Sequence, residues 1–420
     1  MNEQIVERIE NVNKGSVPNG YLKIKACLFP SEWPFTELNR VLIERQERNL
    51  KGIYNKDNVL SVSGEHGIVN QISHLGRSYA SENLENYLIV YKGDIVYTKS
   101  PLKANPYGII KLNLEETGIV SPLYAVYSTK HIITGKYINY YFQIDSFLNN
   151  FLSPYIKRGP KNTMNVGNQD ILHGNIPIPT LDEQEKIVLI LDLIEKIINL
   201  KQQLIDQEEK RKKWVMKSLL QGKPTYKRTK IRDIAEVSTG ATPSTKNPDY
   251  WGGDIRWMNS GELNLKRIYE VDGRITKKGL LNSGTKLLPE GCVLIGLAGQ
   301  GKTRGTVAMN YIPLCTNQSV AAILPNENYN SEYLFWNLEN RYSELRKLSS
   351  GDGARGGLNL ELINSLTVYL PTKGEQASIA LSLSSIDKKI LLLKSELSFW
   401  LQKKQALMQL LLTGIVRVSI

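Results

Sequence analysis

The chain contains an internal repeat, in which two stretches of sequence 192 residues apart match each other. IPIPTLDEQEKI at residues 176–187 aligns with VYLPTKGEQASI at residues 368–379, and the same offset places Gly222 on Gly414. The two segments therefore agree at both ends without a gap. Such a repeat indicates that one structural element is present twice in the fold.

Each repeated segment has the apolar spacing of a long helix, with steps that alternate between four and three residues. The seam, meaning the positions that follow this spacing, consists in the second copy of Ile379, Leu383, Ile386, Ile390, Leu393, Leu397, Trp400, Lys404, Leu407 and Leu411. In the first copy it consists of Ile187, Leu191, Ile194, Ile198, Lys201, Ile205, Glu208, Lys212, Val215 and Leu219. About 36 to 40 residues at 1.5 Å each predict helices of roughly 55 to 60 Å.

The helix ends are also marked in the sequence. Pro179 and Pro371 stand just before the helices, Thr180 or Asp182 can cap the first, and the matched glycines follow the C-termini. Residues 182–217 contain eight acids and eight bases, so the first helix as a whole contributes nothing to the net charge.

Two such helices can pair with each other, or each can bind a helix of another protein. We expect an antiparallel coiled coil within the chain, because an unpaired seam of this length promotes aggregation. The predicted fold class is α+β, with two mixed α/β globular domains separated and followed by the long helices. The predicted boundaries are 1–175 for the first globular domain, 176–222 for the first helix, 223–366 for the second domain and 367–420 for the second helix.

Composition agrees with several domains and an anionic partner. The chain has 420 residues, of which 41% are hydrophobic, enough for two or three separate cores. Its formal net charge of +12 suits nucleic acid, a membrane surface or an acidic protein, and charge alone does not choose among them.

The regions before the helices contain short alternating runs that predict strands, punctuated by Gly, Pro, Asn and Ser. YKGDIVYTK at 91–99 has the pattern of PEGCVLIGL at 289–297, and a Gly-rich, basic loop follows each. A second pair of loops of this kind, at 157–165 and 350–359, precedes the helices. Four such loops at two equivalent places predict a shared functional face on each domain.

Neither a metal site nor a disulfide framework is predicted. The three cysteines, Cys27, Cys292 and Cys315, match no such spacing, and the four histidines are scattered. We expect no cofactor. The N-terminal MNEQIVERIENVNKG has acids where a signal peptide needs a basic start and an apolar core, so the expected location is cytoplasmic.

Several phrases in this domain order resemble the specificity subunit of type I restriction-modification enzymes. They are CLFPSEW at 27–33, IPIPTLDEQEKI with MKSLLQGK, STGATPSTKNPDYWGGDIRWMNSGEL at 238–263, LIGLAGQGKTRGTVA at 294–308 and TNQSVAAILP at 316–325. The resemblance covers nearly the whole chain. It implies two target-recognition domains that each bind one half of a bipartite, asymmetric double-stranded DNA site. It also implies that the helices fix the spacing and dock two modification (methyltransferase) subunits, with restriction (endonuclease/translocase) subunits joining through the complex.

Two local motifs suggest chemistry that their context does not favour. GLAGQGKT at 296–303 fits a phosphate-binding P-loop, but RGTVAMNYIP follows it and predicts a turn and a strand rather than the required helix. NPDY at 247–250 resembles the NPPY motif of amino-methyltransferases but lacks the second proline. In that loop Tyr250 and Trp251 are either core residues or contacts to sugar and bases.

We therefore predict a non-catalytic DNA-binding subunit. The alternatives are a stand-alone DNA-modifying enzyme, such as an adenine methyltransferase, and a scaffold for protein partners. DNA contacts need cations for phosphates and polar side chains for base edges. The predicted contacts are Lys302, Arg304, Arg355, Lys246 and Arg256 in the second domain and, by analogy of position, Lys99, Lys103, Arg158 and Lys161 in the first.

Overall fold

The computed structural model describes residues 3–24, 27–158, 164–299, 303–348 and 357–418. The chain divides into two compact units: unit 1 is Met1–Lys201 with Glu396–Ile420, and unit 2 is Gln202–Ser395. Each long helix thus has one part in each unit. The sequence predicts four consecutive segments, in which each long helix is separate from the globular domains. In the structure the ends of the helices pack into the cores of those domains, so each unit contains part of both helices.

Unit 1 begins with α1 (Glu3–Asn13) and continues with short strands and helices. Its strands are β1 (Tyr21–Ile24), β2 (Cys27–Pro30), β3 (Phe35–Glu37), β4 (Leu42–Arg45), β5 (Leu60–Ser63), β6 (Gly67–Asn70), β7 (Leu88–Val90), β8 (Ile95–Tyr97), β9 (Ile110–Leu112), β10 (Gly118–Val120), β11 (Ala125–Thr129), β12 (Lys157–Arg158), β13 (Met164–Asn165) and β14 (Asn175–Pro177). Its further short helices are α2 (Gln71–Leu75), α3 (Ile132–Tyr141), α4 (Asp145–Leu152) and α5 (Asn168–Leu172).

The central sheet of unit 1 has the antiparallel order β4-β11-β8-β9. Its inner strands, β8 and β11, are apolar on both faces, and a separate hydrophobic cluster covers each face. Ile95 and Tyr97 belong to the large core that includes helices α3 and α4, whereas Val96, between them, belongs to a smaller core on the other face. This is the period-2 alternation of a sheet that is buried on both sides.

The first long helix, α6 (Leu181–Leu219), follows unit 1's last strand, and unit 2 begins within it. The strands of unit 2 are β15 (Lys227–Lys230), β16 (Val237–Thr239), β17 (Trp251–Met258), β18 (Arg267–Ile268), β19 (Arg274–Ile275), β20 (Val293–Gly296), β21 (Val307–Asn310), β22 (Cys315–Thr316), β23 (Val320–Ile323) and β24 (Thr367–Leu370). Its helices are α7 (Lys277–Leu281), α8 (Ser331–Glu339), α9 (Tyr342–Leu348) and α10 (Leu360–Ser365), followed by the second long helix, α11 (Lys373–Leu412).

Unit 2 repeats the topology of unit 1. Its main sheet has the order β16-β23-β20-β21-β18, in which the first four strands correspond to β4-β11-β8-β9. The strand pair β15·β24 lies 192 residues after the pair β3·β14. The repeat that the sequence shows in its helices therefore extends through the globular domains, where sequence similarity is weak.

The helix boundaries differ slightly from the predicted segments. The strands β14 and β24 occupy the beginnings of 176–222 and 367–420, and α11 ends at Leu412. Gly414 follows with φ +66°, and its amide donates to the carbonyl of Leu411 at 3.1 Å, a left-handed conformation that favours glycine. Thr372 caps α11 through a reciprocal bond with Glu375, whose carboxylate accepts from the Thr372 hydroxyl at 2.8 Å.

Within each unit the two long helices run antiparallel, as predicted. In unit 1, Ile187 and Leu191 of α6 share a core with Met408 and Leu411 of α11. In unit 2, Met216 of α6 and Leu220, just after its end, share a core with Ile379 and Leu383 of α11. As residue numbers rise along α6, they fall along α11.

Candidate nucleic-acid interface

In unit 2, three loops meet at the end of strand β20. The amide of Leu358 donates to the carbonyl of Leu297 at 2.9 Å, and the amide of Leu297 donates to the carbonyl of Ser319 at 2.8 Å. The first bond brings together the two Gly-rich loops that the sequence predicts on one face. These loops are close because one follows a central strand and the other leads into α10 beside it.

Polar side chains occupy this end of the sheet. Gln318 is exposed, and its side-chain oxygen accepts a hydrogen bond from the Thr242 hydroxyl at 2.8 Å. Glutamine is among the side chains that bind base edges, because its amide group carries both donors and an acceptor. Neither residue was among the contacts predicted from the sequence. The available signal was that Gln318 lies in the TNQS phrase directly before β23.

One of the predicted cations of unit 2, Arg304, is described in these loops. Arg304 is half-buried in the turn between β20 and β21. Next to it Gly305, with φ +78°, contacts Arg346, since a Cβ at Gly305 would lie 3.3 Å from the Arg346 Cγ. Lys302 and Arg355 lie outside the described residues, so their roles stay predictions.

Lys246 and Arg256 lie in the part of unit 2 around β17. Lys246 is exposed, in the loop whose Trp251 indole donates to the carbonyl of Ser244 at 3.2 Å. Arg256 forms a two-pronged ion pair with Glu270, whose pKa the Arg256 guanidinium lowers to about 2. A DNA phosphate must therefore compete with Glu270 for Arg256.

Trp251 makes packing contacts in unit 2, and its contact with sugar and bases stays a prediction. The ring is half-buried and packs edge-on against Trp257, with 5.1 Å between the ring centroids. The Trp257 indole in turn donates to the carbonyl of Ala241 at 3.0 Å. Trp251 thus forms part of the packing that holds the loop in place.

In unit 1 the corresponding sheet end is organised around Asn168. Its side-chain oxygen accepts from the Lys99 ammonium at 2.7 Å, and its side-chain amide donates to Glu44 at 2.8 Å. The Tyr127 hydroxyl donates to its backbone carbonyl at 2.9 Å. Burial lowers the pKa of Lys99, while nearby Glu44 opposes this effect. The loop after β8 is therefore joined to the first residue of α5, at a place that corresponds to the loop junction of unit 2.

The remaining predicted contacts of unit 1 are only partly described. Lys103 is exposed in the loop between β8 and β9. Arg158 ends strand β12, whose backbone pairs with β13 at Met164. Lys161 lies outside the described residues, between these two strands. The structure brings Lys99 to the loop junction and leaves the other assignments as predictions.

The strands on either side of the P-loop-like segment differ from the strand and helix that flank a nucleotide-binding loop. Strand β20 ends at Gly296 and pairs antiparallel with β21, which begins at Val307. The segment therefore connects two strands of a hairpin, whereas a P-loop opens a helix whose N-terminus faces phosphate. The predicted turn and strand are confirmed.

The described residues contain no group of three or more His, Cys, Asp or Glu side chains that could hold a metal ion. Burial raises the pKa of the Cys292 thiol to about 12 and that of Cys315 to about 11. Both are packing residues in the interior of unit 2. No helix in the described ranges has the length and apolar character needed to cross a membrane.

Two α+β domains of one topology, each with polar loops joined at one sheet end, define a protein with duplicated recognition domains. The chain belongs to the family described as the type I restriction modification DNA specificity domain, whose model matches residues 42–210 and 224–398. The family resemblance inferred from the sequence is thereby confirmed.

Curated relatives carry the same designation. The chain is 36% identical over 165 residues to the type I restriction enzyme MjaIX specificity subunit of Methanocaldococcus jannaschii, which covers 38% of each chain. It is 25% identical over 225 residues to the EcoR124I/EcoR124II specificity subunit of Escherichia coli, covering 50% of this chain and 55% of that one. These matches span about two fifths to just over half the length of the two relatives.

Solved structures share the fold over most of the chain. The type I restriction-modification system S subunit from M. genitalium covers 95% of this chain and 99% of its own, at 13% identity and a TM-score of 0.57. A second solved chain comes from a structure that describes complex assembly and conformational transition of the type I R-M system. Its match covers 93% of this chain and 99% of its own length, at 15% identity and a TM-score of 0.55. Both likenesses concern the fold alone.

Proposed function

We propose that this chain is the DNA-recognition subunit of a type I restriction-modification complex and performs no catalysis itself. Each recognition domain binds one half of a bipartite, asymmetric DNA site. The observation that carries the proposal is the duplicated sheet with two adjoining loops at the same end, joined through Leu297 and Leu358 in unit 2 and through Lys99 and Asn168 in unit 1.

The chemistry of these loops supports DNA binding. Gln318 and Thr242 offer donors and acceptors suited to base edges in the major groove. Two of the predicted cations, Lys103 in unit 1 and Lys246 in unit 2, are exposed and suited to phosphates. Because the two domains differ in sequence at these loops, the two half-sites differ as well.

The long helices are the proposed docking sites for two modification (methyltransferase) subunits, through which restriction subunits join. The outward faces of the helices support this assignment. Leu189 and Phe399 in unit 1 are 59% and 58% exposed, and Leu381 in unit 2 is 73% exposed. Large exposed apolar side chains on a helix already paired along its seam are typical of a protein interface.

Methylome sequencing tests the proposal directly. Cells that carry the modification subunits are sequenced with and without this gene, and we expect a bipartite methylated motif only when the gene is present. Purified chain provides the complementary measurement, since it should bind duplex DNA containing that motif. A motif that is methylated equally without the gene would refute the proposal.

A further inference from the structure

The excess positive charge of the chain is concentrated in one segment of unit 2. Unit 2 contains 28 lysine and arginine residues against 19 aspartate and glutamate, whereas unit 1 contains 25 against 22. Residues 210–232, called here the basic segment, contain ten lysine and arginine residues and no acid. The first helix has no net charge as a whole, because its acids balance its bases. However, all of its acids precede residue 210, so its C-terminal part is strongly basic.

The helical part of the basic segment presents a stripe of cations. Lys210, Lys213 and Lys217 are three and four residues apart, so they lie on one face of α6. All three are exposed, and the described residues place no carboxylate within ion-pair distance of them. Two neighbours are neutralised, since Arg211 pairs with Glu208 and Lys212 with Asp387.

The strand part of the basic segment continues this surface. Arg228 and Lys230 are exposed and alternate along β15, so they lie on the same face of the strand. Arg228 pairs across the ladder with Tyr369, which is 37% exposed. Gly222, just after α6, lies against that ring, since a Cβ there would be 2.8 Å from it. The segment that follows α6 therefore lies beside the face of β15 that carries Arg228.

The repeat shows that the fold does not require these charges. At the offset of 192 residues, Lys210, Lys213 and Lys217 correspond to glutamines in α11, which are Gln402, Gln405 and Gln409. The strand residues 227–230, KRTK, correspond to FTEL at 35–38. The same elements thus fold in one copy with glutamines in the helix and without basic side chains in the strand, so the positive charge needs a reason other than stability.

We propose that the basic segment binds the phosphate backbone of duplex DNA and reads no bases. A net charge of +10 over 23 residues matches a polymer that carries one negative charge per about 1.7 Å of its axis. Lys210 to Lys217 span about 10 Å of helix, the length of about three base pairs. The surface adds affinity and salt dependence without changing the recognised sequence. This inference rests on the proposed function.

The test replaces the three lysines of α6 with the glutamines that occupy the matching positions of α11. The variant K210Q/K213Q/K217Q of the full chain is compared with wild type in binding to a duplex that contains the methylated motif, at several salt concentrations. Each lost phosphate contact removes about 0.9 from the slope of log affinity against log salt, so we expect the slope to fall by about 2 to 3. The methylated motif should not change.

Two further variants make the result decisive. R228Q/K230Q removes the strand cations and should also lower the slope, by about 1 to 2. K51Q/K286Q/K388Q removes three exposed lysines elsewhere and should leave the slope nearly unchanged. Thermal unfolding checks that every variant is folded.

The outcomes separate this inference from the proposed function. If wild type binds the motif and neither basic-segment variant alters the slope, the inference is wrong while the proposed function stands. Loss of co-purifying modification subunits with an unchanged slope would assign the surface to an acidic protein and overturn it. If wild type itself shows no preference for the motif, the proposed function fails first.

Discussion

The side chains of Glu208 in α6 and Lys389 in α11 form an ion pair of 2.6 Å, although they are 181 residues apart in the sequence. Glu208 is one of the charged residues that interrupt the apolar seam of the first helix. Another, Lys212, pairs with Asp387 at 2.5 Å. The interruptions are therefore matched polar contacts between the helices rather than defects in a coiled coil.

Reversing the charge at one of these positions should destabilise unit 2, and reversing both should restore it. E208K places a lysine beside Lys389 and Arg211, so we expect a lower melting temperature, with recovery in E208K/K389E. A double-mutant cycle should give a coupling of about 1 kcal/mol. K388E, at an exposed neighbouring position, serves as control. Additive effects of the two changes would contradict the pairing.

The same pair gives a pH dependence. The hydrogen bond from Lys389 lowers the pKa of Glu208, so the folded protein keeps this carboxylate charged to lower pH than the unfolded chain does. Its contribution to stability is present above the ordinary pKa and is lost as pH falls through the lowered value. The free energies of unfolding of wild type and K389M, measured from pH 3 to 7, should therefore differ more as pH rises.

Arg417 should be needed to keep the start of α6 folded. Its guanidinium donates to both oxygens of the buried Glu183 carboxylate, at 2.6 and 2.9 Å, and the Trp33 indole donates at 3.0 Å. R417M leaves this carboxylate without its cation, at a cost of about 1.5 to 3 kcal/mol. Burial raises the pKa of Glu183, so the loss should shrink on acidification. Chemical denaturation at pH 5 and 7.5 measures it, with R40M as control.

Replacing the predicted loop cations should weaken DNA binding in a salt-dependent way. The variant K302A/R304A/R355A should lose affinity, and the slope against salt should fall by about one unit per phosphate contact. The measurement is a salt titration on the cognate duplex. Unchanged affinity and slope would exclude these loops as the binding face.

The P-loop-like segment should support no ATP hydrolysis. Because β20 and β21 form a hairpin, we expect the purified chain to show no magnesium-dependent turnover and K302A to affect DNA binding alone. A phosphate-release assay on wild type and variant makes the test. Turnover that disappears in K302A would overturn this conclusion.

Shortening both helices together should shorten the spacing between the half-sites. Ile187 and Ile379 belong to the domain cores, so a heptad is best removed from the middle. Deleting residues 198–204 and 393–399 keeps both seams in phase. Seven residues are about 10 Å of helix, or about three base pairs.

Methylome sequencing should give the same half-sites at a shorter spacing. Altered half-sites at the original spacing would refute the ruler model, and deleting one heptad alone is the mismatched control.

Much of the architecture could be predicted from the sequence, because helix periodicity and the repeat are local and additive signals. The offset of 192 residues, the seam from Ile379 to Leu411 and the flanking prolines suffice to predict two long helices in antiparallel pairing. The alternation around Ile95 and Val293 similarly predicts central strands. Motif context was also enough to predict that residues 304–313 do not form the helix of a P-loop.

The tertiary structure alone decided which polar groups meet. Sequence could nominate Lys99 as a cation, but only the fold brings it to Asn168, 69 residues away. Arg256 had the right chemistry for phosphate, yet Glu270 already pairs with it. Long-range partners depend on loop paths and strand register, which no local pattern encodes. The sequence by itself determined the repeated elements and their charges, and the folded chain determined which of those charges remain available to bind DNA.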